Sequence, residues 1–295
     1  MQRLEIEDRG DHWLRGYLPR TLRGIGLFLA KQLWAGLFAV IILAAILITK
    51  AIWNPDWAIA RYDALVMIAV AAQVVMLVFR LESLDEAKVI LLFHITGTVM
   101  EFFKVAAGSW AYPEVGMIKV MGVPLFTGFM YASVGSYIAR SLRLFDMVLA
   151  PFPPYPLVAA LAVAIYVNFF AHHFLPDIRL ALFAATVILF WRTRLWVATG
   201  TGHRAIRLPV AALIVAGLLY IAENIGTFTG TWVYAGQAKW DPVRPAMMGS
   251  WYLLFYVAFA TVLVVFRQSC QRDPWVRPSP STGPAPKAAR QAKAD

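Results

Sequence analysis

Long apolar segments dominate this sequence and limit what it can fold into. Each holds roughly the 20 residues that a helix needs to cross a bilayer. They lie near residues 32–52, 62–80, 86–107, 124–145, 155–173, 178–195, 207–228 and 246–267. Only 15% of the 295 residues are charged, whereas a soluble globular domain carries about 25%. The sequence therefore predicts an all-α, polytopic membrane bundle of about eight transmembrane helices.

A segment in the third apolar region occurs again in the seventh. Glu101–Tyr112, EFFKVAAGSWAY, matches Glu223–Tyr234, ENIGTFTGTWVY, in its glutamate, glycine, Ser or Thr, tryptophan and tyrosine. Pro-Asp pairs after the first and fifth regions keep almost the same offset. We therefore predict two parallel four-helix repeats, with matching residues at the same depth and facing each other across a central interface.

This organisation predicts four parts of the chain. A basic, partly amphipathic cytoplasmic arm covers residues 1–31, and the two four-helix halves cover 32–145 and 146–267. Residues 268–295 are rich in Pro, Ala, Ser and Lys, a composition that cannot bury a core, so we predict a disordered cytoplasmic tail.

The distribution of basic residues predicts the orientation. With the N-terminus inside, all but seven of the 27 Lys and Arg residues fall on the cytoplasmic side. Those seven are Lys50, Arg61, Lys104, Lys119, Arg179, Lys239 and Arg244. The positive-inside rule then places both termini in the cytoplasm.

The net charge of +10 does not indicate a nucleic-acid-binding protein, because the arginines flank apolar spans and no basic patch with interleaved aromatics occurs. We expect these arginines to contact membrane lipids. The single cysteine, Cys270, excludes an internal disulfide and a CxxC site.

The two repeated glutamates and Lys104 are the candidate catalytic residues. A carboxylate at membrane depth costs about 2.5–3.5 kcal/mol, so it should face the protein interior and have a partner. Lys104 lies one turn from Glu101 on a shared helix face, and we predict that it pairs with Glu101, either to tune a reacting carboxyl or as a purely structural ion pair. In the second repeat, the position that corresponds to Lys104 is occupied by Gly226, so Glu223 has no lysine one turn away on its helix. We therefore expect one carboxylate to be ionised and the other to be more easily protonated.

Further polar and aromatic residues near the two glutamates form the candidate substrate site. The positions of the aromatic residues in the two repeated segments fit two interpretations equally well. They could form an aromatic belt at the outer membrane interface, or they could line the mouth of a pocket. The candidate substrate-binding residues are His94, Trp110, Tyr112, Tyr131, Tyr137, Tyr220, Asn224, Trp232 and Tyr234.

We predict no metal and no cofactor. His172 and His173 precede Asp177, but adjacent helical histidines point about 100° apart, so only one would face a shared site. No HExxH, P-loop, GxSxG or GxGxxG pattern occurs. Whether these two histidines bind a metal stays open.

The run from Gly97 to Arg140, GTVMEFFKVAAGSWAYPEVGMIKVMGVPLFTGFMYASVGSYIAR, resembles a bacterial membrane family known as domain of unknown function 817. That resemblance implies an integral membrane protein and supplies no activity. Glu101, Gly108, Tyr112 and the GVPL run at 122–125 are more distantly similar to the carotenoid-biosynthesis membrane hydratases, from which Lys104 and the Ser109-Trp110 pair depart. This second similarity implies chemistry on a hydrophobic substrate.

Three functional hypotheses follow. The first is a membrane-embedded enzyme that acts on an isoprenoid or other lipid through the paired intramembrane glutamates. The second is a proton-coupled small-molecule transporter that uses the same carboxylates. The third is a non-catalytic membrane scaffold in which the glutamates join the two halves.

Overall fold

The protein, whose structure is a computed structural model, is almost entirely helical. The structure describes residues 20–171, 174–199, 202–238 and 241–273, so the tail beyond 273 and most of the N-terminal arm lie outside it. Nine α-helices occur in these ranges: α1 Arg20–Ala35, α2 Leu37–Ile52, α3 Arg61–Val78, α4 Leu84–Ala106, α5 Phe126–Leu144, α6 Tyr155–Ala171, α7 Arg179–Phe190, α8 Leu208–Phe228 and α9 Ala246–Val265. Each of the eight predicted apolar regions contains a helix.

Four of these helices, α3, α4, α8 and α9, are long and apolar enough to cross a membrane. Helices α1 and α2 form one further candidate span that is bent by 70° at Gly36. Helix α7 has only 12 residues, about 18 Å at 1.5 Å per residue, against a hydrocarbon core of about 30 Å. Length and composition therefore support four or five spans, fewer than the eight that the sequence predicts.

The predicted sixth span, residues 178–195, ends early because a sheet takes its last residues. Strand β5, Arg194–Thr199, pairs antiparallel with β6, Gly202–Arg207, and also with β4, Val148–Ala150. The backbone N–H and C=O groups of β5 are hydrogen-bonded to two neighbouring strands. They are therefore not available for the hydrogen bonds that a longer α7 would need. This three-stranded sheet is the largest β element in the described ranges.

Helices α4 and α5 approach each other closely because glycines alternate with large side chains across their interface. A Cβ on Gly97 would lie 2.7 Å from Tyr131, and a Cβ on Gly135 would lie 2.7 Å from the ring of Phe93. Small residues of this kind allow membrane helices to pack backbone to backbone. The packing brings Tyr131 of α5 beside the face of α4 that carries Glu101.

Buried ion pairs and hydrogen bonds stabilise the end of the bundle where α3 meets α4. Ser83 and Glu86 form a capping box at the start of α4, and Glu86 also pairs with Arg143 at 2.9 Å. Arg140 is fully buried and donates to the carbonyl oxygens of Leu81 and Trp34, both at 2.7 Å. Its observed contacts are structural links between helices.

At the opposite end, two residues that begin α3 hold the loop between α4 and α5. Arg61 is buried and pairs with Glu114 at 2.8 Å, and it also donates to Thr231 at 2.9 Å. Asp63 accepts hydrogen bonds from the backbone N–H groups of residues 117 and 118, both at 2.8 Å. These contacts fix the loops that carry the repeated tryptophans and tyrosines.

Short strands lie in both of these loops. The loop between α4 and α5 contains β1 Trp110–Ala111, β2 Lys119–Val120 and β3 Val123–Pro124, and the loop between α8 and α9 contains β7 Val233–Tyr234. Strands β2 and β3 pair with each other, whereas β1 pairs with β7. The second pairing joins the two loops directly.

Candidate functional site

Two glycine turns return the chain to the repeated glutamates. Gly108 follows α4 with φ +68°, and Gly230 follows α8 with φ +66°. Only glycine adopts such values without strain. After each turn the chain runs back, and β1 pairs antiparallel with β7, with Trp110 opposite Tyr234 and Ala111 opposite Val233. The two copies of the motif therefore meet near their C-terminal ends.

Glu101 is enclosed by three neutral hydrogen-bond donors. Its side chain is 1% exposed. Its Oε2 accepts from Trp110 Nε1 and from the Tyr112 hydroxyl, both at 2.8 Å, and its Oε1 accepts from the Tyr131 hydroxyl at 2.7 Å. The carboxyl group is thus held in place through both of its oxygens.

Glu223 repeats two of these contacts at the same sequence spacing. Its Oε2 accepts from Trp232 Nε1 at 3.2 Å and from the Tyr234 hydroxyl at 2.5 Å. As at Glu101, the donors are nine and eleven residues after the glutamate. Within the described part of the chain, Glu223 Oε1 accepts no hydrogen bond, and the side chain is half-buried rather than enclosed.

The donor tyrosines stay protonated. Burial raises the pKa of the Tyr112 and Tyr234 phenols well above the ordinary value of 10.0, and the neighbouring carboxylates raise it further. Both hydroxyl groups therefore donate to the glutamates at physiological pH.

Both glutamates line one small cavity of about 20 Å³. Trp110, Tyr112, Tyr131, Trp232 and Tyr234 form most of its polar wall. A cavity needs about 10–15 Å³ of such volume to hold one water molecule. The pair thus faces a space that fits a water molecule or one small reacting group.

A much larger apolar cavity adjoins this site. Its volume is about 310 Å³, and it lies between α4, α5, α6, α8 and α9. Tyr131, Trp251 and Leu254 line both cavities and form the wall between them. Ligand-binding pockets in proteins start at about 300 Å³ and are mostly apolar. The arrangement joins a polar, carboxylate-bearing end to a chamber for a hydrophobic group.

Lys104 does not make the predicted contact with Glu101. Its Nζ donates to the backbone oxygen of Phe169 at 2.6 Å and lies 4.0 Å from the centre of the Phe169 ring. The neutral donors around Glu101 occupy the positions that the ion pair would need. Because Phe169 lines the small cavity, Lys104 contacts the wall of the site from behind.

The repeated aromatics are direct hydrogen-bond partners of the glutamates. Trp110, Tyr112, Trp232 and Tyr234 all donate to a glutamate. The sequence places them outside the helices, and only the glycine turns return them to the carboxylates. Tyr131 joins them as a donor to Glu101.

The other four candidate substrate residues line neither cavity. His94 lies against Phe129, with ring centres 4.4 Å apart. The Tyr137 hydroxyl donates to Gln32 at 2.7 Å. The Tyr220 hydroxyl donates to the Val243 carbonyl at 2.6 Å, and Asn224 accepts from Val243 N–H at 3.0 Å. Tyr220 and Asn224 thus secure the loop before α9, and no observed contact supports a binding role for the four.

The predicted set of site residues left out the walls contributed by other helices. Phe169, Ser250 and Trp251 line the small cavity together with Met130, Met247 and Leu254. These residues carry no motif, and their distance along the chain from either glutamate hides their proximity.

The predicted histidine pair, His172 and His173, lies outside the described residues. Across the ranges that the structure describes, no group of three or more His, Cys, Asp or Glu side chains could hold a metal ion.

Comparison with known proteins places the chain in a family. Residues 25–259 match the family model described as "Protein of unknown function (DUF817)", and the chain belongs to this family. One relative is Uncharacterized protein YoaT of Bacillus subtilis (strain 168). It is 42% identical over 246 residues, which are 82% of this chain and 92% of that protein. No solved structure matches the chain. The first resemblance is therefore confirmed, whereas neither match extends to the carotenoid hydratases.

Proposed function

We propose that this protein is a membrane-embedded enzyme that acts on an isoprenoid or other lipid. Glu101 and Glu223 would move protons at the reacting atoms. The observation that carries the proposal is the contact between the two cavities: a pair of carboxyl groups lines a water-sized space directly beside a 310 Å³ apolar chamber.

Two carboxyl groups in unequal surroundings can divide acid and base roles. A protonated carboxyl would give its proton to one carbon of a substrate double bond. The other carboxylate would take a proton from a neighbouring carbon, so the double bond shifts and the site gains and loses one proton. Enclosure supports such chemistry, because an acid must be kept neutral and away from bulk water until it reacts.

The proposal includes the arrangement in the membrane. We propose two parallel halves in a bacterial inner membrane, with both termini cytoplasmic. The repeated glutamate contacts and the central pairing of β1 with β7 support the two halves. In this arrangement the glutamates lie near one face of the bilayer and substrate comes from the lipid phase.

A proton-coupled transporter is the second candidate, because both carboxyl groups share one cavity at the junction of the two motif copies. Intramembrane carboxylates at such an interface are typical of proton-coupled carriers. Under this alternative, the large cavity would hold the cargo.

The test compares lipid extracts from cells that express the wild type, the Glu101→Gln/Glu223→Gln variant, or the control Asp85→Asn/Asp177→Asn. The control also removes two carboxylates, but from exposed or partly exposed positions away from the site. Protein levels are matched, and untargeted mass spectrometry follows every lipid.

We expect the extracts to contain a lipid whose amount changes in cells that express the wild type or the control. Its amount should not change in cells that express the glutamate variant. Identical extracts would argue against an enzyme, and uptake that depends on a proton gradient would then establish the transporter. If the glutamate variant fails to accumulate as folded protein, separate Glu101→Gln and Glu223→Gln proteins are tested. Folded single variants that leave both lipids and uptake unchanged would favour a scaffold.

A further inference from the structure

The larger cavity opens to the protein surface between α4 and α6, on the lateral face of the helix bundle. Thr96 of α4 and Val163 of α6 line it and are exposed, Val163 by 62%. The Tyr166 hydroxyl crosses the opening to the Thr96 carbonyl oxygen at 3.4 Å. This rim would therefore face lipid chains if α4 crosses the membrane as its length allows.

Within the described ranges, no charged side chain lines this opening. Helix α6 contains no Asp, Glu, Lys or Arg, and α4 contains none between Lys88 and Glu101. None of the residues that line the larger cavity is charged or a histidine. A charged group passing through it would lose its hydration without gaining a partner, at a cost of several kcal/mol.

The inner end of the path is acidic. The ionisable side chains that line the small cavity are Glu101, Glu223 and three tyrosines. The nearby cation, Lys104, lines neither cavity, and its ammonium contacts the backbone of Phe169. A phosphate or carboxylate brought to this end would meet two acidic groups and, among the residues that the structure describes, no lining Lys or Arg.

The neutral donors around the glutamates also disfavour a cationic ligand. Trp110, Tyr112, Tyr131, Trp232 and Tyr234 already donate five hydrogen bonds to the two carboxyl groups. The remaining space of about 20 Å³ fits one water-sized group and is too small for a bulky ammonium such as a trimethylammonium.

We infer that the ligand of this site is an apolar chain with an uncharged reacting end, which enters sideways between α4 and α6 and places that end at Tyr131. The description of this end as reacting rests on the proposed function. The inference itself concerns ligand binding, and a binding experiment tests it.

The experiment uses the full-length protein, purified in detergent and stripped of lipid. Native mass spectrometry measures its affinity for farnesol, farnesyl phosphate and farnesylamine, which share one chain and differ in the charge of the end group. We expect farnesol to bind at least about tenfold more tightly than either charged probe, a difference of about 1.4 kcal/mol.

The entry path is tested with Val163→Trp and the matched control Val167→Trp. Both valines are exposed on α6, one turn apart, by 62% and 55%, but only Val163 lines the cavity. We expect Val163→Trp to weaken or slow farnesol binding at least about fivefold, by obstructing the opening. Val167→Trp should match the wild type, and equal melting temperatures would show that both variants fold.

Tighter or equal binding of the phosphate or the amine would overturn the inference, as would failure of farnesol to bind. Equal effects of the two tryptophan variants would overturn the proposed entry path. If farnesol binds as expected and cellular lipids do not depend on the glutamates, the binding site stands and the proposed enzyme fails.

Discussion

The two glutamate sites share their donors but differ in how completely they are closed. Each glutamate accepts from a tryptophan nine residues later and a tyrosine eleven residues later. Only Glu101 gains a third donor, Tyr131, whereas Leu253 stands at the matching position of α9. Glu101 is enclosed, and Glu223 keeps one oxygen without a hydrogen bond among the described residues.

A second difference lies one turn beyond each glutamate. Lys104 extends from α4 to the backbone of Phe169. At the matching position of α8, Gly226 leaves space for the Trp232 ring, and a Cβ there would lie 1.8 Å from that ring. Two similar motifs thus produce a fixed carboxyl and a more accessible one. This is the asymmetry that an acid–base pair requires, and the following predictions test it.

The largest effect is expected from removing each carboxyl group. Glu101→Ala leaves three buried donors without an acceptor, and Glu223→Ala leaves two. A stranded buried donor costs about 1–3 kcal/mol. We expect Glu101→Ala to lower the free energy of unfolding by about 3 kcal/mol or more, and Glu223→Ala by about 2 kcal/mol.

Thermal denaturation of the detergent-purified variants measures this difference, with the exposed Asp85→Ala as control. Equal losses for the two glutamate variants would contradict the asymmetry.

The next effect concerns Gly226. Gly226→Ala forces the Trp232 ring from its position and weakens its hydrogen bond to Glu223, so we expect a loss of about 1–3 kcal/mol from overpacking. Gly217 lies in the same helix with no atom within 4 Å of an added Cβ. Gly217→Ala should therefore be neutral or stabilising, by up to about 1 kcal/mol. Melting temperatures check both, and a stable Gly226→Ala protein would show that Trp232 does not depend on this glycine.

Removing single phenol groups should sharpen the comparison. Tyr234→Phe takes one of two donors from Glu223, whereas Tyr112→Phe takes one of three from Glu101. A hydrogen bond to a charged group contributes about 1.5–3 kcal/mol. If the carboxyl groups do the proposed chemistry, Tyr234→Phe should change the pH dependence of activity or uptake more than Tyr112→Phe does. The reverse order would identify Glu101 as the more responsive group.

The smallest effect on stability at neutral pH is expected from titration of the Tyr112 and Tyr234 hydroxyl groups. Their folded-state pKa values are raised, so their stabilising contribution is complete below the unfolded value of about 10. It is lost as the pH rises above that value, because the unfolded chain releases the protons first. We expect melting temperatures to fall above about pH 10, and to fall less steeply in Tyr112→Phe and Tyr234→Phe proteins. An unchanged slope would show that other groups control alkaline unfolding.

The sequence was most informative where local pattern decides structure. Apolar runs located every helix from α2 to α9, and the repeated motif selected the two glutamates, their tryptophans and their tyrosines. The failures occurred where partners are distant in sequence. The sheet formed by Val148–Ala150 and two later strands shortened the sixth predicted span. Lys104 was assigned to the nearest carboxylate along its helix, yet a carbonyl oxygen of α6 is its observed acceptor.

The sequence by itself determined the helical segments, the family and the identity of the paired glutamates, because periodicity, composition and repetition are properties of neighbouring residues. Only the tertiary structure decided that glycine turns return the aromatics to the carboxylates, and that Tyr131 joins one glutamate but not the other. It alone placed a 310 Å³ apolar cavity beside them. The physical reason is that hydrogen-bond partners and cavity walls come from helices far apart in the chain, whose packing no local pattern records.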